Sequence, residues 1–146
     1  MILNVGCGRF PVAGAVNVDC VDLPGVDVVH DLDVVPWPFG DAVADELRAV
    51  QVFEHVRNPI GFMCEAWRVL KPGGLLFLAV PHYQSENAFT DPTHVRFCTE
   101  HTWDYWIDGA PLNRSQGPQF GGDRCRFRRE HVGRHEDDIH VRLIKL

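Results

Sequence analysis

Three features, met in order along the first third of the chain, carry the most chemistry: the turn Gly6-Cys7-Gly8, then Asp19, then Asp31 followed by Leu32. A glycine pair lets backbone turn sharply and lets a ligand come close to the main chain. A carboxylate at Asp19 can accept hydrogen bonds from both hydroxyls of a ribose. Asp31 can accept from an adenine amino group, while the Leu32 amide can donate to a ring nitrogen. Each aspartate alone is as readily a turn former at a strand end. As an ordered set on one sheet edge they describe an adenosine site, because open α/β sheets bind ligands beyond the carboxyl ends of their strands.

A second group has the residue types for proton handling: Gln51, His55, His82 and Tyr83, placed where the fourth and fifth predicted strands end. His82 follows an apolar strand and Pro81, which sets an imidazole at the rim with a pKa suited to base work near neutrality. A hydrogen-bonded rim histidine with no part in the chemistry fits the same position. In the stretch from Asp91 to Phe97, His94 and Arg96 are candidates for binding an anionic or polar acceptor. Asp91-Pro92-Thr93 is equally a turn that orders the loop. His82, Asp91, His94 and His101 follow no tight ligand spacing, so no metal site is expected.

These residues need a scaffold, and the first half of the chain supplies strand signals at Ile2 to Val5, Ala15 to Asp19, Val26 to His30, Asp45 to Ala49 and Leu75 to Val80. Several are continuous apolar runs, the pattern of strands covered on both faces. Asn58 is a good N-cap with Pro59 at the first helical position, and Ile60, Met63, Trp67 and Leu70 then share one face. Lys71-Pro72-Gly73-Gly74 stops that helix and predicts the tight αβ turn of a parallel sheet. A second helix is expected from Thr99, carrying Trp103, Trp106 and Ile107 into the core with Trp67. Alternation around Cys125 and Phe127, a polar turn over Gly133 to Asp138 and a strand from Ile139 to Ile144 predict an antiparallel hairpin, with the arginines between Arg124 and Arg129 mostly on its solvated face. Val34 to Gly40 and Ala110 to Gly122 read as surface loops, the latter as the more mobile.

At 146 residues and 45% hydrophobic, the chain has the size of one domain, residues 1–146, with enough apolar surface for a core. A net charge of -6 argues against a nucleic-acid partner. No apolar run approaches the roughly 20 residues of a membrane span, and the expected setting is cytoplasmic. The five cysteines form no CxxC pair and read as reduced thiols.

Two cofactor classes use such an adenosine site. A nicotinamide dinucleotide needs a G-x-G-x-x-G turn opening a helix, but Arg9, Phe10 and Pro11 follow Gly8. Only about six residues then separate Gly8 from the next strand, against the roughly ten to twelve of a βαβ crossover. A cofactor without phosphates, such as S-adenosylmethionine, loses much less from the missing helix.

The motifs LNVGCG (Leu3 to Gly8), NVD (Asn17 to Asp19), HDLD (His30 to Asp33), VFEHV (Val52 to Val56) and EAWRVLKPGGLLFLAVPH (Glu65 to His82) occur in one order. Through them the chain resembles the class I S-adenosylmethionine-dependent methyltransferases, particularly small bacterial and phage-type members. The resemblance implies a Rossmann-like α/β fold, with a seven-stranded, mostly parallel sheet and an antiparallel C-terminal hairpin. It implies S-adenosyl-L-methionine as cofactor, with the turn of Gly6, Cys7 and Gly8 along its amino-acid and ribose portion. Asp19 would hold the ribose, Asp31 and Leu32 the adenine, and Gln51 would stand near the methionine part or the methyl group. His82, Gln51 and Tyr83 are the catalytic candidates, and the implied reaction is methylation of a small-molecule, sugar-type or other polar acceptor. The sequence departs from the family in the helix after the first strand, here missing or reduced to a turn, and in starting that strand at Met1. An open site of this kind is expected to gain cover by self-association or from its substrate. A catalytically silent cofactor-binding module, or a subunit of a larger complex, is the second reading.

Overall fold

Short apolar runs closed by glycine or aspartate form the first strands: β1 (Ile2–Val5), β2 (Val16–Asp19), β3 (Val28–Val29) and β4 (Ala44–Val50). Helix α1 (Pro59–Val69) leads into β5 (Leu70–Pro81), the short α2 (Asn87–Thr90) and α3 (Pro111–Gln116) follow, and β6 (Phe127–His135) and β7 (Asp138–Lys145) close the chain. The computed structural model describes residues 1–146. It places the strands in one seven-stranded sheet of order β3-β2-β1-β4-β5-β7-β6. β1 to β5 pair in parallel, while β7 runs antiparallel between β5 and β6. No helix is long and apolar enough to cross a membrane.

The two faces of the sheet differ. Leu3, Leu47, Leu76 and Leu143 lie in register across β1, β4, β5 and β7, all fully buried. They form one core with Phe62, Met63 and Ala66 of α1 and with Trp103, Trp106 and Ile107. Asn4, Arg48, Phe77 and Arg142 occupy the alternate positions. No helix lies between β1 and β2, where Gly8 to Ala15 make only turns. The helix expected to be missing or reduced is therefore a turn, and the Asn4, Arg48 and Phe77 side has no crossover helix over it.

Helix α1 begins as its cap predicts: the Asn58 side chain accepts from the Gly61 amide at 2.9 Å, with Pro59 in the first turn. The stop also holds, but Leu70 is already extended and paired with Ala44, so the expected αβ turn over Lys71 to Gly74 is absorbed into β5 as an irregularity of register. Glu65 fixes what lies above the helix. Its carboxylate accepts from the Trp37 amide at 2.6 Å and from both Nε and Nη2 of Arg68, at 2.8 and 2.6 Å. Arg68 reaches on to the carbonyls of Phe39 and Trp37 and to Asp41. The buried Trp37 indole then donates to the Leu32 carbonyl at 3.1 Å. One ion pair thus pins the proline-rich loop and, through Trp37, the segment that carries Asp31 and Leu32.

Three expectations need correction. The helix from Thr99 is absent: residues 99–109 form successive turns with i to i+3 backbone bonds, such as Thr102 to Thr99 and Trp106 to Trp103. The Thr99 and Thr102 hydroxyls take up nearby amides there, and such side-chain bonds compete with helix. Trp103 and Trp106 are nevertheless buried as expected, while Trp67 is half-buried, with the Lys145 ammonium 3.9 Å from its ring centroid. In the hairpin, Gly133, Arg134 and His135 belong to β6 and the turn is only Glu136-Asp137, because these three residues pair with His140, Ile139 and Asp138 of β7. Finally, Ala110 to Gly122 is not a plain loop but holds α3 and a 3₁₀ turn, Gly117–Phe120.

Burial raises the pKa of the Glu65 carboxyl, but the hydrogen bonds from Arg68 and the Trp37 amide outweigh it and the net shift is downward. A carboxyl lowered on folding contributes stability that is present above its ordinary value of 4.5 and is lost as pH falls through the lowered one. Glu65→Gln is expected to cost about 1–3 kcal/mol near neutrality in urea unfolding. The gap from the native chain should narrow at pH 3.

Candidate cofactor site

The carboxyl ends of β3, β2, β1 and β4 lie side by side on one sheet edge, and a cleft of about 410 Å³ opens there. Gly6, Asp19, Asp31, Leu32 and Gln51 all line it, with Val52 and His55 beside them. The volume falls within the range of small-molecule sites.

Glycine is required at position 6. Its φ is +64°, and a Cβ would stand 2.4 Å from Cγ2 of Val52. Gly8, at φ +52°, has open space around it, and its amide donates to Oδ2 of Asp19 at 2.8 Å. Oδ1 of Asp19 accepts from the Val21 amide at 3.0 Å. Two backbone donors therefore orient this carboxylate, and each oxygen keeps a lone pair for a further donor. Asp31 accepts from the Asp33 amide at 2.9 Å. Asp33 in turn accepts from the Arg57 and Asn58 amides, both at 2.8 Å, which ties the loop to the start of α1. The Leu32 amide has no partner within the chain.

Gln51 is the strained member of the site. Its φ is +56°, its amide is held by the Ala79 carbonyl at 2.8 Å, and its side chain donates to Asp138 at 2.9 Å. Non-glycine residues in this region cost free energy and recur at ligand sites. Gln51 and Gly6 also line a second cavity, of about 550 Å³, on the Asn4, Arg48 and Phe77 side of the sheet. Cys7 and Gly8 border that second cavity and not the first.

His82 and Tyr83 line neither cavity. His82 is buried rather than on the rim, because its amide bonds to Asp137 and the Tyr83 amide to Cys98, folding the end of β5 under neighbouring chain. Nδ1 of His82 accepts from the Gln84 amide at 3.2 Å, and Nε2 lies 3.3 Å from the Glu100 carboxylate. Arg96 is likewise tied down: its guanidinium donates to the carbonyls of Phe53 and Val56 and sits 5.2 Å from the centroid of the Phe53 ring. His101 pairs with Asp104 at 2.9 Å. Of the four residues weighed for a metal, Asp91 and His94 lie 4.0 Å apart, while His82 and His101 face Glu100 and Asp104 instead.

A different cluster appears instead: Glu54, His55 and His94 bring one donor atom each within 4.8 Å of one another. Glu54 is 1% exposed, and neither carboxylate oxygen has a hydrogen-bond partner. Burial pushes its pKa up to about 7. The signal in the sequence is the adjacent acid and histidine just past a strand end, in VFEHV. Nothing in their spacing points to His94, which arrives from beyond β5.

Residues 3–78, more than half of the chain, match the family described as "Methyltransferase domain". The chain belongs to that family. Its fold is that of the class I S-adenosylmethionine-dependent methyltransferases. A probable S-adenosylmethionine-dependent methyltransferase of Mycolicibacterium smegmatis is 36% identical over 59 residues, covering 40% of this chain and 23% of the relative. A SAM-dependent methyltransferase of Thermotoga maritima superposes with a TM-score of 0.67 at 18% identity, over 99% of this chain and 82% of the other. The 1,6-didemethyltoxoflavin-N1-methyltransferase of Burkholderia thailandensis, solved with 1,6-didemethyltoxoflavin and S-adenosylhomocysteine, gives a TM-score of 0.64 at 14% identity, over 99% and 70% of the two chains. This methyltransferase domain spans about a quarter of the length of the curated relatives it matches.

Gly6→Ala and Gly8→Ala separate steric from conformational demand in the domain. The first meets both the Val52 methyl and positive φ, and is expected to lower stability by about 2–4 kcal/mol; the second meets only positive φ, at about 1 kcal/mol. Parallel thermal melts check the order, and equal losses would refute the Val52 contact as the cause.

Proposed function

We propose that residues 1–146 act as one S-adenosylmethionine-dependent methyltransferase unit, with the cofactor in the cleft at the carboxyl edge of β1 to β4 and a small polar or sugar-type molecule as acceptor. The observation that carries this reading is the convergence of Gly6, Asp19, Asp31, Leu32 and Gln51 on that one cleft. In it, Asp19 offers the ribose hydroxyls the lone pairs that the Gly8 and Val21 amides leave free. The unpartnered Leu32 amide and the Asp31 carboxylate are an adjacent donor and acceptor for the edge of an adenine. Gly6 and Gln51, at the opposite side of the cleft, take the sulfonium end.

Methyl transfer is an in-line displacement at a sulfonium carbon, so the protein must chiefly align the two reactants, exclude water and let the acceptor lose its proton. Gln51 fits the alignment role, since backbone strain and the Asp138 contact hold its side chain at the cleft. His82 fits a positioning role better than that of a base: the Gln84 amide occupies its Nδ1 lone pair, leaving Nε2 to face Glu100. Tyr83, 43% exposed and tilted against the His82 ring at 4.7 Å between centroids, stands on the outer side of that pair as a contact for the acceptor. The Burkholderia thailandensis enzyme of like fold holds a small molecule together with S-adenosylhomocysteine, which supports an acceptor of that size.

Calorimetric titration with S-adenosylhomocysteine tests the cofactor site. Asp19→Asn keeps one acceptor for the backbone amides but removes the charge, and is expected to weaken binding about 10- to 100-fold with little change in melting temperature. Unchanged affinity, or preference for a nicotinamide dinucleotide, would overturn the reading. Release of S-adenosylhomocysteine from S-adenosylmethionine on adding acceptors distinguishes the enzyme from a silent binding module.

A further inference from the structure

The Glu54, His55 and His94 cluster is more than three titratable side chains in proximity. We propose that it is a divalent-metal site, with Nε2 of His55, Nε2 of His94 and the Glu54 carboxylate as ligands, opening on the cofactor cleft. Two imidazoles and one carboxylate suit a borderline ion such as Zn²⁺, Mn²⁺ or Fe²⁺ better than Mg²⁺ or Ca²⁺.

The hydrogen bonds around the cluster prepare both histidines for coordination. Nδ1 of His94 lies 2.8 Å from the Ala88 carbonyl, so Nδ1 carries the proton and Nε2 keeps its lone pair. That Nε2 is 4.0 Å from Oε1 of Glu54 and also 4.0 Å from Oδ2 of Asp91. Nδ1 of His55 lies 2.9 Å from the Thr93 hydroxyl, whose own proton goes to Asp91 at 2.7 Å. The hydroxyl can then only accept from His55, which again leaves Nε2 as the free lone pair. Metal-bound histidines are held this way, each donating its second ring N–H to a carbonyl or to an acid-linked group.

Glu54 supplies the second, independent observation. A buried carboxylate with both oxygens unpartnered is costly to a fold, and a cation held between it and the two imidazoles would satisfy it. Scaffold bonds hold the two halves together: the Val95 amide donates to the Glu54 carbonyl at 3.0 Å, and Arg96 clamps the carbonyls of Phe53 and Val56. Donor atoms on a four-coordinate zinc stand roughly 3.4 Å apart, so side-chain shifts of about an ångström close the present spacing. His55 lines the cleft, so the remaining coordination positions face whatever occupies it. On the methyl-transfer reading above, and resting on it, the ion would bind an oxygen of the acceptor and ease loss of its proton.

Untagged protein freed of metal with EDTA and titrated with Co²⁺ or Zn²⁺ alone tests the site without any cofactor or acceptor. One ion per chain is expected, with the d–d absorption of a nitrogen and oxygen set for Co²⁺ and a higher melting temperature. His94→Ala should weaken binding about 100-fold or more, whereas the exposed His101→Ala should leave it unchanged. Glu54→Gln is the near-isosteric control: in EDTA it should melt no lower than the native chain, and it should lose the metal-induced gain. No stoichiometric binding at about 1 mM ion, or native affinity in both Glu54→Gln and His94→Ala, overturns the proposal. S-adenosylhomocysteine titration of the same samples keeps the two readings apart, since failure there with metal binding intact counts only against the cofactor site.

Discussion

The hydrogen bond from the Gly8 amide to the Asp19 carboxylate, 2.8 Å long, joins the turn after β1 to the end of β2, and the shape of the site follows from it. It forms because parallel pairing sets Val5 beside Val18, so the turn after one strand comes level with the last residue of the next. It also depends on two residues at positive φ, of which Gly6 alone can sit against Val52. With the turn drawn across to β2, Asp19 lines the cleft between strands, and Gln51, just past the end of β4, lines its other side.

A second constraint acts from the covered face. The Glu65 and Arg68 pair, reaching Trp37, Phe39 and Asp41, holds the long loop after β3 against α1, and Asp33 fastens the same loop to the start of that helix. β3 has only two residues and could not place Asp31 and Leu32 by strand pairing alone. Side-chain bonds over twenty or more residues of separation do so instead. The adenine end of the cleft is thus built by a loop, the glycine end by the sheet.

Local rules made much of this readable. Strand ends, the Asn58 cap, the stop after α1 and the aspartates at β-strand termini are all short-range signals. Each reflects backbone chemistry that acts within a few residues. The misreadings share one cause. Residues 99–109 have helical spacing of tryptophans, yet the Thr99 and Thr102 hydroxyls favour turns, and burial of Trp103 and Trp106 needs no helix. Gly133 to His135 have the residue types of a polar turn, yet they pair with His140 to Asp138 and leave only Glu136-Asp137 to turn. His82 has the residue type of a base, but the bonds that bury it come from Asp137, Gln84 and Glu100.

From the sequence by itself came the α/β class, the positions of the first strands, the adenosine-type residue set and the likeness to a family of methyltransferases, because these rest on periodicity, turn chemistry and motif order. Only the tertiary structure decided that five of those residues share one cleft, that Cys7 and Gly8 face another, and that Glu54 and His55 meet His94. Those outcomes depend on contacts between segments tens of residues apart. Such contacts are fixed by the packing of the whole sheet, and no local pattern encodes them.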